Sequence, residues 1–122
     1  MELTQKQAID AYRVVRKLEK QDMNGKSART LFLARKALEP QMEFQDEQEH
    51  KAVDLLNCGI NLTTGTIEFP DEEAREAYIK KMDEIAEMEV EIDWKKCAFD
   101  ISELRLAPDD IEPLGFIVNI VC

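Results

Sequence analysis

Apolar residues at Ala8, Tyr12, Val15 and Leu18, broadened by Ile9, Ala11 and Val14, recur with the period of an α-helix. Thr4 and Gln7 stand at the T-x-x-Q spacing of a capping box, so the pattern predicts a helix from Gln5 to about Lys20. Asp22-Met23-Asn24-Gly25 then reads as a turn, with Asn-Gly supplying residues that tolerate positive φ. It folds a second helix, Lys26–Leu56, back antiparallel to the first, with Ala28, Leu31, Phe32 and Leu38 as its seam. At about 1.5 Å per residue that helix is about 46 Å long, whereas a domain of this size is about 35 Å across. A straight helix would overhang. Pro40 removes a backbone donor, clashes with the carbonyl of residue 36 and pushes Glu39 out of helical geometry, so a kink or break is expected there. Failing that, the far end packs on something else.

Beyond Pro40 the pattern changes. Met42 and Phe44 are apolar, Gln45 to Lys51 are all polar, and Ala52, Val53, Leu55 and Leu56 are apolar again. A helix polar all round for two turns projects into solvent or meets a partner. Cys58-Gly59 closes the helical region, and Asn61 to Phe69 reads as a β-hairpin turning at Thr63-Thr64-Gly65. Asp71 caps a third helix whose buried stripe is Ala74, Ala77, Tyr78, Met82 and Ile85. Met88, Val90, Ile92 and Trp94 alternate with Glu89, Glu91 and Asp93, the mark of a half-buried strand with an acidic outer face. Cys97, Phe99 and Ile101 continue an extended pattern, Pro108 to Leu114 gives a short helical turn, and Phe116 to Val121 is a last apolar strand expected to pair inside a sheet. The fold class is α+β. A single domain, 1–122, opens with a helical hairpin (1–57) with a long second helix. A β-hairpin, a third helix and a small, mostly antiparallel sheet follow (58–122).

Charge sharpens this picture. The net charge of −10 is unevenly spread: residues 1–40 hold nine Lys/Arg and five Asp/Glu, and residues 41–122 hold seven and twenty-one. Arg13, Arg16, Lys17, Lys26, Arg29, Arg35 and Lys36 are therefore the candidates for binding an acidic protein partner or a small anionic ligand. Duplex nucleic acid is disfavoured as a partner, because the acidic body repels its phosphates. The three cysteines are odd in number and widely spaced, which suits a reducing cytosol. No apolar run approaches the roughly 20 residues of a membrane span, and the N-terminus lacks the apolar stretch of a signal peptide.

Candidate chemistry is sparse. Glu47-Gln48-Glu49-His50 is an E-x-x-H sequence, and Asp46, His50 and Asp54 share a helical face, but di-iron bundles need two such helices and His50 is the only histidine. No metal or other cofactor is expected. Gly25-Lys26-Ser27 is half of a phosphate loop, without its first glycine or preceding strand. The carboxylates Glu89, Glu91 and Asp93 form a solvated face. These features favour a non-enzymatic chain. The overlong second helix favours a homo-oligomer, most simply a two-fold dimer with Phe44 or Val53 in its seam.

The order Ala8-Ile9-Asp10-Ala11-Tyr12, Gly25-Lys26-Ser27-Ala28-Arg29, Phe44-Gln45-Asp46-Glu47, Gly65-Thr66-Ile67-Glu68-Phe69, Met88-Glu89-Val90-Glu91 and Asp110-Ile111-Glu112-Pro113-Leu114-Gly115-Phe116-Ile117 resembles small uncharacterised proteins encoded by phages and prophages of gut Firmicutes. The resemblance spans nearly the whole chain and carries no active site with it. It implies the cytoplasm of a bacterial host and a host or phage protein as partner. The expected function is an accessory protein that binds and blocks or sequesters a host factor, as a counter-defence protein does. The alternative is a virion assembly factor or tail-module component.

Overall fold

The computed structural model describes residues Met1–Cys122. In chain order the elements are β1 (Glu2–Thr4), α1 (Gln5–Leu18), α2 (Gly25–Leu55), β2 (Gly59–Ile60), β3 (Ile67–Glu68), α3 (Glu72–Ala86), β4 (Glu89–Glu91), β5 (Cys97–Asp100), α4 (Pro108–Gly115) and β6 (Val118–Val121). The α+β class and the leading pair of helices, the second long, are as expected.

Local chemistry sets the helix starts. The Gln7 N–H donates to Thr4 Oγ1 at 3.1 Å and the Thr4 N–H to Gln7 Oε1 at 2.9 Å, which closes the capping box of α1. Asp71 caps α3, its carboxylate accepting from the Ala74 N–H at 2.7 Å. Asn24-Gly25 departs from expectation. Asn24 has φ −65° and is the N-cap of α2, its side chain accepting from the Ser27 N–H at 2.9 Å. Positive φ falls instead at Asn57 (53°), just past α2, and at Gly65 (71°), in the hairpin turn.

Helix α2 runs unbroken through Pro40, so of the kink or break expected there the break does not occur. Lys36 and Pro40 both lie on its exposed face, where water can hydrate the carbonyl that proline leaves without a donor. On the inner face Gln5 holds the helix to α1: its Nε2 donates to the Gln41 carbonyl at 2.9 Å and to Gln45 Oε1 at 3.3 Å. The seam against α1 is Ser27, Leu31, Ala34 and Leu38, with Ser27 and Ala34 standing where Ala28 and Phe32 were expected. Ala28 is exposed, and Phe32 is 43% exposed, flanked by the Arg35 and Lys36 cations at 5.3 and 5.8 Å from its ring centre.

The far half of α2 packs on the same protomer. Ala52 and Val53 are buried there, as are Ala74 and Ile85 of α3. Ala77, expected in the α3 stripe, is exposed.

The strands form three separate pairs. β1 and β4 are antiparallel with Leu3 opposite Val90, β2 and β3 form the antiparallel hairpin, and β5 and β6 run parallel with Phe99 opposite Ile120. Helix α4 makes the crossover between β5 and β6. The last strand therefore has one partner and a free edge, contrary to the expectation of an interior position. Ile92 is buried, Val90 and Trp94 half-buried, and Trp94 Nε1 donates to the Ile117 carbonyl at 2.7 Å. Met88 at the head of that alternation is exposed.

One core joins both halves of the chain, with Leu3, Val15, Leu18, Leu31 and Leu38 packed on Ile92, Phe99, Leu114, Ile117 and Val118. The accessible surface is 8015 Å² for 14.1 kDa, against about 6,700 Å² expected for a compact monomer of that mass. The excess reflects the distal half of α2 and the hairpin, which stand away from that core.

Candidate functional site

The basic residues of the first two helices divide into two groups. Lys17 Nζ donates to Asp110 Oδ2 of α4 at 2.8 Å, and Arg35 donates to Glu19 and to Glu39, each at 2.8 Å. Those two cations are committed to the fold. The Asp110 carboxyl is held below the ordinary aspartate range, first by the Lys17 hydrogen bond and further by the Ala107 N–H, with burial opposing. Lys36 meets Glu39 at 3.4 Å and stays exposed. Arg13, Arg16, Lys26 and Arg29 are exposed and in no salt bridge. Lys26 lines a cleft of about 270 Å³ at the start of α2, with Asn24, Ser27, Thr30 and the strand ends at Asp100 and Val121. Asp100, its carboxyl lowered by the hydrogen bonds from Ser102, sets a negative charge in that cleft and weakens it as an anion site.

The two residues proposed for an oligomer seam also part company. Val53 is 8% exposed and packed inside the protomer, so it cannot form a surface seam. Phe44 is half-buried. His50 is exposed, with Nδ1 2.8 Å from the Asp46 carbonyl oxygen.

The largest exposure of apolar side chains lies at the far end of α2. There α2 and α3 border a groove of about 410 Å³ whose floor is Ala52, Leu55, Leu56 and Ala77 and whose rim is Gln48, Lys51 and Lys81. Leu55 is 81% exposed. The nearby hairpin carries Ile60, 48% exposed, and Leu62, 95% exposed. Fully burying one such side chain against a partner is worth about 1.5–3 kcal/mol.

The hairpin that carries Leu62 is well tied. Asn61 Oδ1 accepts from the N–H groups of Thr63 and Thr64 at 2.9 and 3.2 Å, and the Asn61 N–H and carbonyl pair with Thr66 and Gly65 at 2.8 and 2.7 Å. The Phe69 ring lies on Tyr78 of α3, centroids 5.5 Å apart and planes tilted by 58°. The Tyr78 hydroxyl is pushed above its ordinary pKa by burial first, then by Glu49 and Cys58.

Sequence reasoning took Ala52, Val53, Leu55 and Leu56 together as one apolar face. The missed signal is angular. At 100° per residue those four spread over too wide an arc for one seam, so Leu55 had to point outward.

The fold and the surface together define a small α+β protein with an apolar end and separate charged faces. No protein-family model, curated protein or solved structure matches the chain. No helix is long and apolar enough to cross a membrane.

Proposed function

We propose that this chain is a non-enzymatic phage or prophage accessory protein that binds and blocks or sequesters a host protein in the bacterial cytoplasm, as a counter-defence protein does. The observation that supports this reading is the exposed apolar end: Leu55, Leu62 and Ile60 beside a groove floored by Ala52 and Ala77. Large apolar side chains exposed around an apolar-floored groove are the kind of surface a partner covers. Its position on helix ends and a tied hairpin limits the ordering entropy of association. Lys51 and Lys81 on the rim favour an apolar anchor flanked by acidic residues in the partner.

Affinity capture from host lysate tests the reading with two double variants. Leu55→Asp with Leu62→Asp should abolish capture of the partner that wild type retains, since each Asp sets an unpaired charge in the contact. Arg13→Glu with Arg16→Glu should leave capture intact. The reverse pattern would make the basic face of α1 the working surface and refute the apolar-end reading.

A further inference from the structure

The outward face of α2 has a charge pattern that helix stability does not explain. Its positions from Lys26 to Glu47, and on to Asp54, are spaced alternately by three and four and are exposed. In the first half of this face stand Lys26, Arg29 and Lys36; in the second, Glu43, Glu47 and Asp54. Residues 25–39 contain four cations and one carboxylate, and residues 41–55 contain five carboxylates and one lysine. The helix dipole favours the opposite order, with acids in the first turn and bases in the last. Helix α2 has no acid in its first turn and no base in its last. Both ends are therefore disfavoured in the isolated protomer.

We infer that the outer face of α2 is a homodimer interface, in which two copies of the helix pack antiparallel about a two-fold axis near Pro40. Pro40 is the midpoint of Gly25–Leu55. Antiparallel pairing about it sets Lys26 opposite Asp54, Arg29 between Glu47 and Asp54, and Lys36 opposite the Glu43–Glu47 turn. Lys26 and Lys36 then face carboxylates, Arg29 lies level with Lys51 but is flanked by Glu47 and Asp54, and the two dipoles align favourably. Apolar contact comes from Leu33 on the seam and Phe32 beside it, 41% and 43% exposed. Lys51, at the edge of the face, stays with Glu47 of its own chain at 3.3 Å. Apart from Lys51, which lies at the edge of both surfaces, the interface uses none of the residues of the apolar end, so the dimer stands or falls independently of the proposed function.

Light scattering on charge-reversal variants tests this. Wild type should have twice the 14.1 kDa chain mass at tens of micromolar. Arg29→Glu with Lys36→Glu makes both halves of the face acidic, and Glu43→Lys with Glu47→Lys makes both basic. Each variant alone should be monomeric, with an unchanged far-ultraviolet circular dichroism spectrum showing that it is folded. Mixing the two should restore a dimer, because each acidic half then meets a basic one. A monomeric wild type, a mixture that stays monomeric, or a wild-type dimer indifferent to both reversals would overturn the inference.

Discussion

Asp110 is a buried carboxylate on α4 whose one cationic partner, Lys17, lies 93 residues earlier on α1. Because folding lowers its pKa, its contribution is present above the unfolded value of roughly 3.9 and is lost as pH falls through the folded value. Asp110→Asn should lower the unfolding free energy by about 1–3 kcal/mol at neutral pH, since it leaves imperfectly satisfied groups at a buried site. Urea unfolding measures this. The gap from wild type should narrow as the pH is taken below about 4. A gap that stays constant as the pH is taken below that value would mean that packing and not charge is responsible. Lys17 was legible in the sequence as a cation near a helix end. Its partner was not, because nothing in the spacing of residues records which distant carboxylate tertiary folding brings to it. The same holds for Arg35 and Glu19.

Helix α2 sets the proportions of the molecule. Pro40 stands inside it on the exposed face, where its ring blocks one hydrogen bond and makes no core contact. Pro40→Ala should therefore raise the unfolding free energy by up to about 3 kcal/mol, read from the midpoint of urea unfolding at unchanged slope. A destabilised variant would show that the surrounding packing depends on the proline. At this scale the sequence was informative wherever the signal is local. The Thr4–Gln7 box, the Asp71 cap, the Gly65 hairpin and the Val90–Ile92–Trp94 alternation are each written within a few residues. The strand β1 is three residues long and pairs with β4 across nearly the whole chain, so no periodicity announces it. The parallel pairing of β5 and β6 was likewise hidden, because α4, the helix of the crossover, has only eight residues and reads alone as a proline-bounded turn.

The whole molecule is a core at one end, built on α1, the first half of α2, α4 and the short strands, with an arm of α2, α3 and the hairpin extending from it. In this account the two surfaces of that extended shape do separate work. On the readings proposed above, the outer face of α2 would take a second copy of the chain and the apolar end beyond it the host protein. A photo-crosslinking residue placed at Leu33 and, separately, at Leu55 tests that division in host cells producing the protein. Position 33 should give a crosslinked species of twice 14.1 kDa containing this chain alone. Position 55 should give a heterologous species containing one host protein. Position 55 giving only self-crosslinks, or no crosslink at all, would contradict the claim that the apolar end is where this protein meets its partner.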